Sequence, residues 1–277
     1  MKTLELLKPL FFPCAEILLF TGGLLLLDMT VAGAGCLFFL AACALNFSVH
    51  ISFHEWIHHG PRSNSTISDC ITILAGLPLN GYRLHHYNHH EYDNGPGDLS
   101  STWDYSTTPP SARNVLLYSL LWPVQMYKAR VELRALVSRD GTYAALRAPI
   151  RHEKWILLLW YVLLVTLAGW KAVVSYFAVT YIGWALASLH NYGQHMPSAN
   201  DPQSATSYVS NLYNRIFCNN GLHHEHHARP GIAWHGLSVD SGARRITYPH
   251  SLAPLIMDRP ERTIAQDERD MKHVEER

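Results

Sequence analysis

Residues 31–59 read VAGAGCLFFLAACALNFSVHISFHEWIHH, an apolar run that ends directly at a cluster of histidines. The part from Val31 to Phe53 is long enough to cross a bilayer as a helix, which needs about 20 apolar residues. His54 and His58 follow at once, and residues four apart lie on one face of a helix. The stretch therefore predicts a membrane-spanning helix followed by imidazoles that can reach one point.

Three other apolar segments have about the length of a membrane span. Residues 9–27 precede 31–53 after a short polar break, so these two segments predict a tight hairpin. Residues 153–170 and 172–190 form a second pair around the break Gly169-Trp170-Lys171. The sequence thus predicts an all-α membrane protein with four transmembrane helices in two hairpins.

Composition agrees with a membrane protein and excludes other classes. Of 277 residues, 48% are hydrophobic and only 16% are charged, whereas soluble domains carry roughly 25% charged residues. The 22 basic and 22 acidic side chains cancel, so nothing indicates a nucleic-acid partner. The five cysteines form no C-x-x-C pair, which argues against a disulfide framework and against a thiolate metal site.

The distribution of basic residues predicts the orientation in the membrane. The two hairpin tips contain a single basic residue, Lys171, and loops rich in Lys and Arg face the cytoplasm. Both termini and all histidine clusters are therefore expected on the cytoplasmic side. There a helical cap, residues 54–152 and 191–257, would hold a metal site, with a charged tail at 258–277 completing a single domain, 1–277.

Two more histidine clusters follow, HHYNHH at residues 85–90 and HHEHH at residues 223–227. Neutral imidazole is a ligand for iron, zinc, copper or nickel. One zinc ion needs about four ligands, so at least eight clustered histidines suffice for two metal ions. Few carboxylates and no thiolates lie among them, and zinc has no redox chemistry. Two irons that carry out oxygen chemistry are therefore the natural candidate.

These clusters resemble the three histidine boxes of the integral-membrane fatty acid desaturase and hydroxylase superfamily. Residues 83–90, RLHHYNHH, are similar to the family's R-x-x-H-x-x-H-H, and residues 222–230, LHHEHHARP, to its L-H-x-E-H-H-x-x-P. Residues 191–195, NYGQH, look like the family's additional N-x-x-x-H element. The resemblance extends from about residue 40 to residue 240.

The resemblance implies a nonhaem diiron centre on the cytoplasmic side. In the first box His58 and His59 both fit the family's spacing, and helical geometry favours His58. Glu55 and Glu225 are expected to orient imidazoles by accepting hydrogen bonds from their ring N–H groups. Carried over by position, the metal ligands would be His54, His58, His59, His86, His89, His90, Asn191 (directly or through water), His195, His223, His226 and His227.

The implied function is an oxygen-dependent desaturase that introduces a double bond into a fatty acyl chain, with two iron ions and dioxygen as co-substrate. Its partners would be a lipid or acyl substrate and the membrane. The sequence shows no dinucleotide-binding motif, no cysteine cluster and no haem signature. The resemblance therefore implies a separate electron donor of the ferredoxin or cytochrome type, with its reductase.

The same histidine motifs also fit other functions. A hydroxylase, or a carotenoid ketolase or hydroxylase, would use the same boxes, and the HHEHH form of the last box also resembles carotenoid ketolases. His54-Glu55-Trp56-Ile57-His58 also matches the H-E-x-x-H of zinc metalloproteases, with Glu55 as base, but that reading leaves two clusters unexplained. A metal transporter would need more ionisable groups within its spans than Glu16 and His50.

Overall fold

The structure is a computed structural model that describes residues 8–102, 105, 111–139, 144–195, 205–207 and 211–239. Regular secondary structure in these residues is helical, with no β-strand, which confirms the all-α prediction. The helices are α1 Phe11–Leu26, α2 Val31–His59, α3 Thr66–Ala75, α4 Leu79–Tyr92, α5 Ala112–Leu120, α6 Trp122–Arg139, α7 Arg147–Gln194, α8 Asn211–Ile216 and α9 His223–Ala228. The charged tail predicted at 258–277 lies outside the described residues.

The chain divides into two compact units. Unit one comprises Met1–Asn88 and Leu121–Ala187, and unit two comprises His89–Leu120 and Ser188–Arg277. Three helical stretches, Lys8–Leu26, Val31–His59 and Arg147–Gln194, are long and apolar enough to cross a bilayer by length and composition. These apolar helices are typical of an integral membrane protein.

Helices α1 and α2 of unit one pack closely along each other. A side chain at Gly23 of α1 would place its Cβ 2.5 Å from the Phe38 ring of α2, so a larger residue would force that ring to move. Between the helices, the Thr30 hydroxyl accepts a hydrogen bond from the Gly33 amide at 3.3 Å and caps the start of α2. The short polar break thus both ends one apolar helix and begins the next.

Helix α2 changes its winding just before the first histidine cluster. Residues Ser48–Phe53 form a π-helical segment, and α-helical geometry resumes over His54–His59. Each π-turn contains an extra residue, so the segment rotates the face that the following side chains present. Such segments occur frequently at functional sites. Here it determines the direction of the first two candidate ligands, His54 and His58.

Helix α7 leaves helical geometry at Gly169, where φ is 78° and ψ is 178°. Trp160 and Tyr176 lie on opposite sides of this glycine, and a straight helix would separate them by about 24 Å. Their ring centroids are 6.2 Å apart, so the segments on either side of Gly169 lie against each other. Just beyond, Lys171 Nζ is 2.6 Å from a carboxylate oxygen of Asp28, in the break between α1 and α2. The four-span topology with two hairpins stays a prediction.

Gly169→Ala is expected to lower the thermal unfolding temperature of the detergent-solubilised protein. The backbone conformation at Gly169 is almost exclusive to glycine, and forcing alanine into it costs about 1–3 kcal/mol. Gly35→Ala in α2 is the matched control, because no atom approaches within 4 Å of the added Cβ there and the backbone is helical. An unchanged unfolding temperature for Gly169→Ala would contradict the strained turn.

The core of unit one joins α2, α3 and α7. Leu45, Phe53 and Ile57 of α2 pack with Ile71 of α3 and Trp184 of α7, all nearly excluded from solvent. The Trp184 indole donates a hydrogen bond to the Ala75 carbonyl at 2.7 Å, which satisfies the end of α3. The helix that carries the first histidines is therefore fixed by packing on several sides.

Unit two is smaller and has a polar interior. One apolar cluster among its described residues consists of Val115, Tyr118 and Tyr192. The loop after α4 is held by Asn94, whose side-chain oxygen accepts from the Thr102 amide at 2.8 Å. Thr102 in turn donates its hydroxyl to the His195 carbonyl at 2.8 Å. This loop thereby fixes the end of α7, where the sequence predicts a further ligand.

Candidate metal centre

Three candidate ligands converge within unit one. His54 and His58 lie one turn apart at the end of α2, and His86 lies on α4. One nitrogen from each ring lies within 4.8 Å of the others, and His58 Nε2 is 2.9 Å from His86 Nε2. His54 and His86 are buried. The four-residue spacing read from the sequence therefore does bring the first two rings to one point.

Six of the candidate histidine ligands lie in unit two. One group of four has its nitrogens within 4.8 Å of one another, and His195 Nε2 is 2.9 Å from His223 Nε2. The remaining two form a pair, in which His226 Nε2 is 2.9 Å from His90 Nε2. The group of four consists of His89, His195, His223 and His227.

The geometry of these groups fits metal ions. In three pairs the Nε2 atoms of two imidazoles face each other at 2.9 Å. Two nitrogens bound at about 2.1 Å to one ion and at a right angle to each other lie about 3 Å apart. The donors are all imidazole nitrogens, a set that suits iron, zinc, copper or nickel. The repeated separation is therefore the one expected of neighbouring ligands on an ion with roughly octahedral angles.

Asp98 orients His89. The Asp98 carboxylate is 2.8 Å from His89 Nδ1 and accepts hydrogen bonds from the Ser100 amide and hydroxyl at 2.8 Å. Burial alone would raise the pKa of Asp98, but His89 and the Ser100 donors hold it well below its usual range. For His89 the two effects have the opposite sign. Burial alone would lower its pKa, but the charge and hydrogen bond of the Asp98 carboxylate raise the pKa of His89 above its usual value. The ionised carboxylate thus holds a proton on Nδ1 and leaves Nε2 for a metal.

Asp98→Asn is expected to reduce metal affinity by about 10–100-fold, because a ligand loses the group that orients its ring. Metal content is measured on purified protein after equilibration with a graded chelator. Asp69→Asn is the matched control: Asp69 also contacts a histidine, His152 at 3.1 Å, but that histidine belongs to neither metal group. Equal metal retention by the two variants would contradict the role of Asp98.

Two more rings of unit two, His195 and His223, are kept neutral, and neighbouring side chains contact two others. Burial, followed by the neighbouring histidines, holds the pKa values of His195 and His223 well below the usual range. Neutral imidazole is the form that binds a metal. His227 Nδ1 is 2.8 Å from an Asp93 carboxylate oxygen. The Trp234 ring lies 4.5 Å from the His226 ring, centroid to centroid, and covers it.

The two histidine groups do not contain His59, and for Asn191 the structure shows one side-chain contact. His59 has 41% of its side chain exposed, and its Nε2 is 3.7 Å from the Glu55 carboxylate. Asn191 donates its side-chain amide to the Tyr118 hydroxyl at 2.8 Å. Glu225, expected to orient an imidazole, accepts a hydrogen bond from the Ser207 hydroxyl. Asp93 and Asp98, which do contact candidate ligands, were missed, although Asp98 closes the turn-rich run that follows the second cluster.

Arg83 of α4 contacts the end of α2, so it links the two helices that carry the unit-one ligands. Its side chain is fully buried, and the guanidinium donates to Asn80 Oδ1 at 2.7 Å. The Asn80 backbone amide donates to Glu153 Oε2 at 2.9 Å. The last carbonyls of a helix have no partner within it, and Arg83 satisfies those at the end of α2. Its carbonyl acceptors are Trp56 at 3.0 Å, Ile57 at 3.2 Å, Gly60 at 3.4 Å and Pro61 at 2.9 Å.

Comparison with known proteins identifies one family. The model of a family described as fatty acid desaturase matches residues 29–246. That range begins before α2 and contains every candidate ligand named above. No curated protein and no solved structure matches the chain.

Proposed function

Because the chain belongs to the fatty acid desaturase family, we propose that it introduces a double bond into a fatty acyl chain, with dioxygen as co-substrate. Membership in this family implies an oxidoreductase that acts on lipid and is associated with the membrane. The observation that carries the proposal is the set of nine histidines in metal-binding groups within the matched range. Dioxygen chemistry needs a redox metal, which favours iron over zinc.

Each of the two irons would have its own set of ligands. We assign His89, His195, His223 and His227 to one ion, with Asn191 near it. His86 and His90 are four residues apart on α4 and so share one face of that helix. We assign His54, His58 and His86, which meet within unit one, to the second ion; His90 and His226, a pair in unit two, complete the nine proposed histidine ligands. His59 is left out, since its ring is exposed.

The irons would supply the oxidising power that removes hydrogen from an unactivated C–H bond. The protein's own contribution is to fix the ligands and to keep water away from them. His195 is fully excluded from solvent, and His226 is 2% exposed beneath the Trp234 ring. A dry site strengthens the electrostatic interactions within it and prevents side reactions of reactive species. Asp98 would keep the ring of His89 oriented, and the Asp93 carboxylate lies 2.8 Å from His227 Nδ1.

The topology that we propose has four membrane spans in two hairpins, with both termini and the histidines on the cytoplasmic side. The reversal at Gly169 and the contact of Lys171 with Asp28 support two hairpin tips at one end of unit one. Lys171 is also the only basic residue in either tip, as the positive-inside rule requires of the outer side. The remaining described helices would form the cytoplasmic cap of a single domain.

A separate protein would supply electrons. The sequence contains no motif for a dinucleotide, haem or iron–sulfur cofactor. We therefore propose a donor of the ferredoxin or cytochrome type, reduced by its own reductase, that docks on the cytoplasmic side.

A hydroxylase, or a carotenoid ketolase or hydroxylase, is the second candidate, since the same ligands serve these reactions. The HHEHH sequence of α9 is the observation that favours the carotenoid enzymes. A zinc metalloprotease is disfavoured, because the Glu55 carboxylate that would act as base lies beside the exposed His59. The family match also argues against it.

Expression in a host with a compatible reductant, followed by mass spectrometry of lipids and pigments, tests the proposal. Desaturation removes two hydrogens from an acyl chain, and hydroxylation adds one oxygen. New unsaturated acyl chains that disappear in a His223→Ala variant would support the desaturase. Hydroxylated acyl chains, or changes confined to carotenoids, would replace it with the second candidate.

A further inference from the structure

Tyr118 of α5 is buried within unit two, where its hydroxyl group joins two segments that carry candidate ligands. The hydroxyl donates a hydrogen bond to the Ser100 carbonyl at 2.7 Å and accepts one from Asn191 Nδ2 at 2.8 Å. Ser100 belongs to the loop after α4, and its own hydroxyl is 3.1 Å from His89 Nδ1. The Asn191 carbonyl accepts from the His195 amide at 3.0 Å, one helical turn further along the chain.

The loop that carries Ser100 is held by contacts other than the one with Tyr118. The amide and the hydroxyl of Ser100 both donate to the Asp98 carboxylate at 2.8 Å. Further along, the Thr102 hydroxyl donates to the His195 carbonyl at 2.8 Å. The Ser100 carbonyl is therefore an acceptor in a fixed position, and Tyr118 can use it as a reference point for Asn191.

The chemistry of the three groups determines the direction of both hydrogen bonds. A phenol has one proton to donate, and it keeps that proton at neutral pH. A carbonyl oxygen can only accept, so the Tyr118 proton lies on the side of Ser100. The Tyr118 oxygen is left as an acceptor, which an amide NH₂ group satisfies and an amide oxygen does not. Asn191 is therefore held with Nδ2 toward Tyr118 and with Oδ1 at the other end of the amide.

The two ends of the Asn191 amide differ in what they can do at a metal. The oxygen has lone pairs that can bind a metal ion or accept a proton from a metal-bound water, whereas the NH₂ group only donates. The ends have nearly the same shape, so packing alone does not select one of them. A hydrogen-bond partner has to make the choice, and Tyr118 is the partner that the structure shows.

We propose that Tyr118 is a positioning residue that keeps the oxygen of Asn191, and not its nitrogen, available to the ion assigned to the group of four histidines in unit two. The inference rests on the proposed function, because it concerns the ligand set assigned there. It is carried by the juxtaposition of one phenol hydroxyl, one carbonyl that can only accept and one amide with two different ends.

Tyr118→Phe removes only the hydroxyl and is expected to weaken the binding of one of two metal ions by about tenfold, as loss of a partner of a metal ligand does. The probe is Co²⁺, titrated into metal-free, full-length protein in detergent against a competing chelator and without oxygen. Tyr105→Phe is the matched control and should bind like wild type. The Tyr105 ring packs on that of Tyr118 at 5.5 Å, but its hydroxyl has no hydrogen bond to Ser100 or Asn191.

Asn191→Asp separates positioning of the amide from a general effect of Tyr118 on packing. A carboxylate has an oxygen at both ends, so its orientation no longer matters. Tyr118→Phe should therefore cost about tenfold beside the native asparagine and less than about twofold when added to Asn191→Asp. The extra charge is present in both members of the second pair, so it cancels from this comparison.

Asn191→Ala tests the same contact with Tyr118 intact. It should weaken Co²⁺ binding at least as much as Tyr118→Phe, and the two changes together should cost no more than Asn191→Ala alone. Thermal unfolding of the metal-free proteins shows that each variant is folded before it is titrated.

The outcomes distinguish this inference from the proposed function. Wild-type affinity in Tyr118→Phe or in Asn191→Ala, or an equal loss with asparagine and with aspartate at position 191, would overturn the positioning role. If the titrations turn out as expected but no acyl chain is oxidised in the expression assay, the proposed function falls and the role of Tyr118 stands. Desaturation of acyl chains together with wild-type affinity in Tyr118→Phe would reverse that result.

Discussion

His58→Ala is expected to reduce product formation by at least about 100-fold, whereas His59→Ala should leave it nearly unchanged. Loss of a group that merely orients a ligand costs about 10–100-fold in metal affinity or activity, so loss of the ligand itself costs more. His58 Nε2 is 2.9 Å from His86 Nε2, while His59 is exposed and lies beside Glu55. The two substitutions remove the same side chain from adjacent positions and are each other's control.

Iron content of the two variants decides whether the effect arises at the metal. The His58→Ala protein should contain less iron than wild type after the same purification, and the His59→Ala protein should match wild type. If His59→Ala lost iron and activity while His58→Ala kept both, the first-box assignment would be reversed.

Arg83→Met is expected to lower the free energy of unfolding by at least about 3 kcal/mol and to reduce iron content. Methionine occupies a similar length but leaves several buried carbonyls at the end of α2 without their charged donor, and each such hydrogen bond contributes about 1.5–3 kcal/mol. Arg83→Lys should rescue only part of the loss, because an ammonium cannot reproduce the guanidinium fork. Thermal unfolding and metal analysis of the detergent-solubilised protein provide the measurements.

Arg62→Met is the control for Arg83. Arg62 lies on the surface with its guanidinium carbon 5.7 Å from the Tyr87 ring centroid, a contact worth about 0.5–1 kcal/mol at an exposed site. Its variant should unfold close to the wild-type temperature and keep its iron. An Arg83→Met protein as stable and as rich in iron as the Arg62 variant would show that the buried network does not position the ligands.

Local periodicity made much of the candidate site predictable. His54 and His58 are one helical turn apart, so the sequence alone predicts that both rings reach one point, and in the structure they do. The preference for His58 over His59 follows from the same geometry. The helical fold and the apolar segments were also predictable, because each depends on residues within about 20 positions of one another.

The carboxylate that contacts His89 could not be chosen in this way. Glu55 and Glu225 are adjacent to candidate ligands in sequence; Glu55 lies beside His59, Glu225 accepts a hydrogen bond from Ser207, and their role in orienting imidazoles stays a prediction. Asp98 reaches His89 only because the loop after α4 folds back, with Asn94 and Thr102 fixing its path. Such contacts depend on the conformation of a loop, which hydrophobic periodicity does not encode.

Contacts between residues far apart in the sequence could not be predicted either. The sequence identifies Arg83 as part of a motif but does not reveal what it contacts. Asn80, its neighbour on α4, is 73 residues from Glu153, and the hydrogen bonds that join them exist only once α4 and α7 have packed.

The central claim is that histidines from distant parts of the chain hold two irons, and metal analysis of active protein tests it most directly. Protein purified from cells grown on iron-57 should contain two irons per chain, and its Mössbauer spectrum should show nonhaem iron in a nitrogen-rich environment. Active protein with no iron, or with a single zinc per chain, would contradict the account.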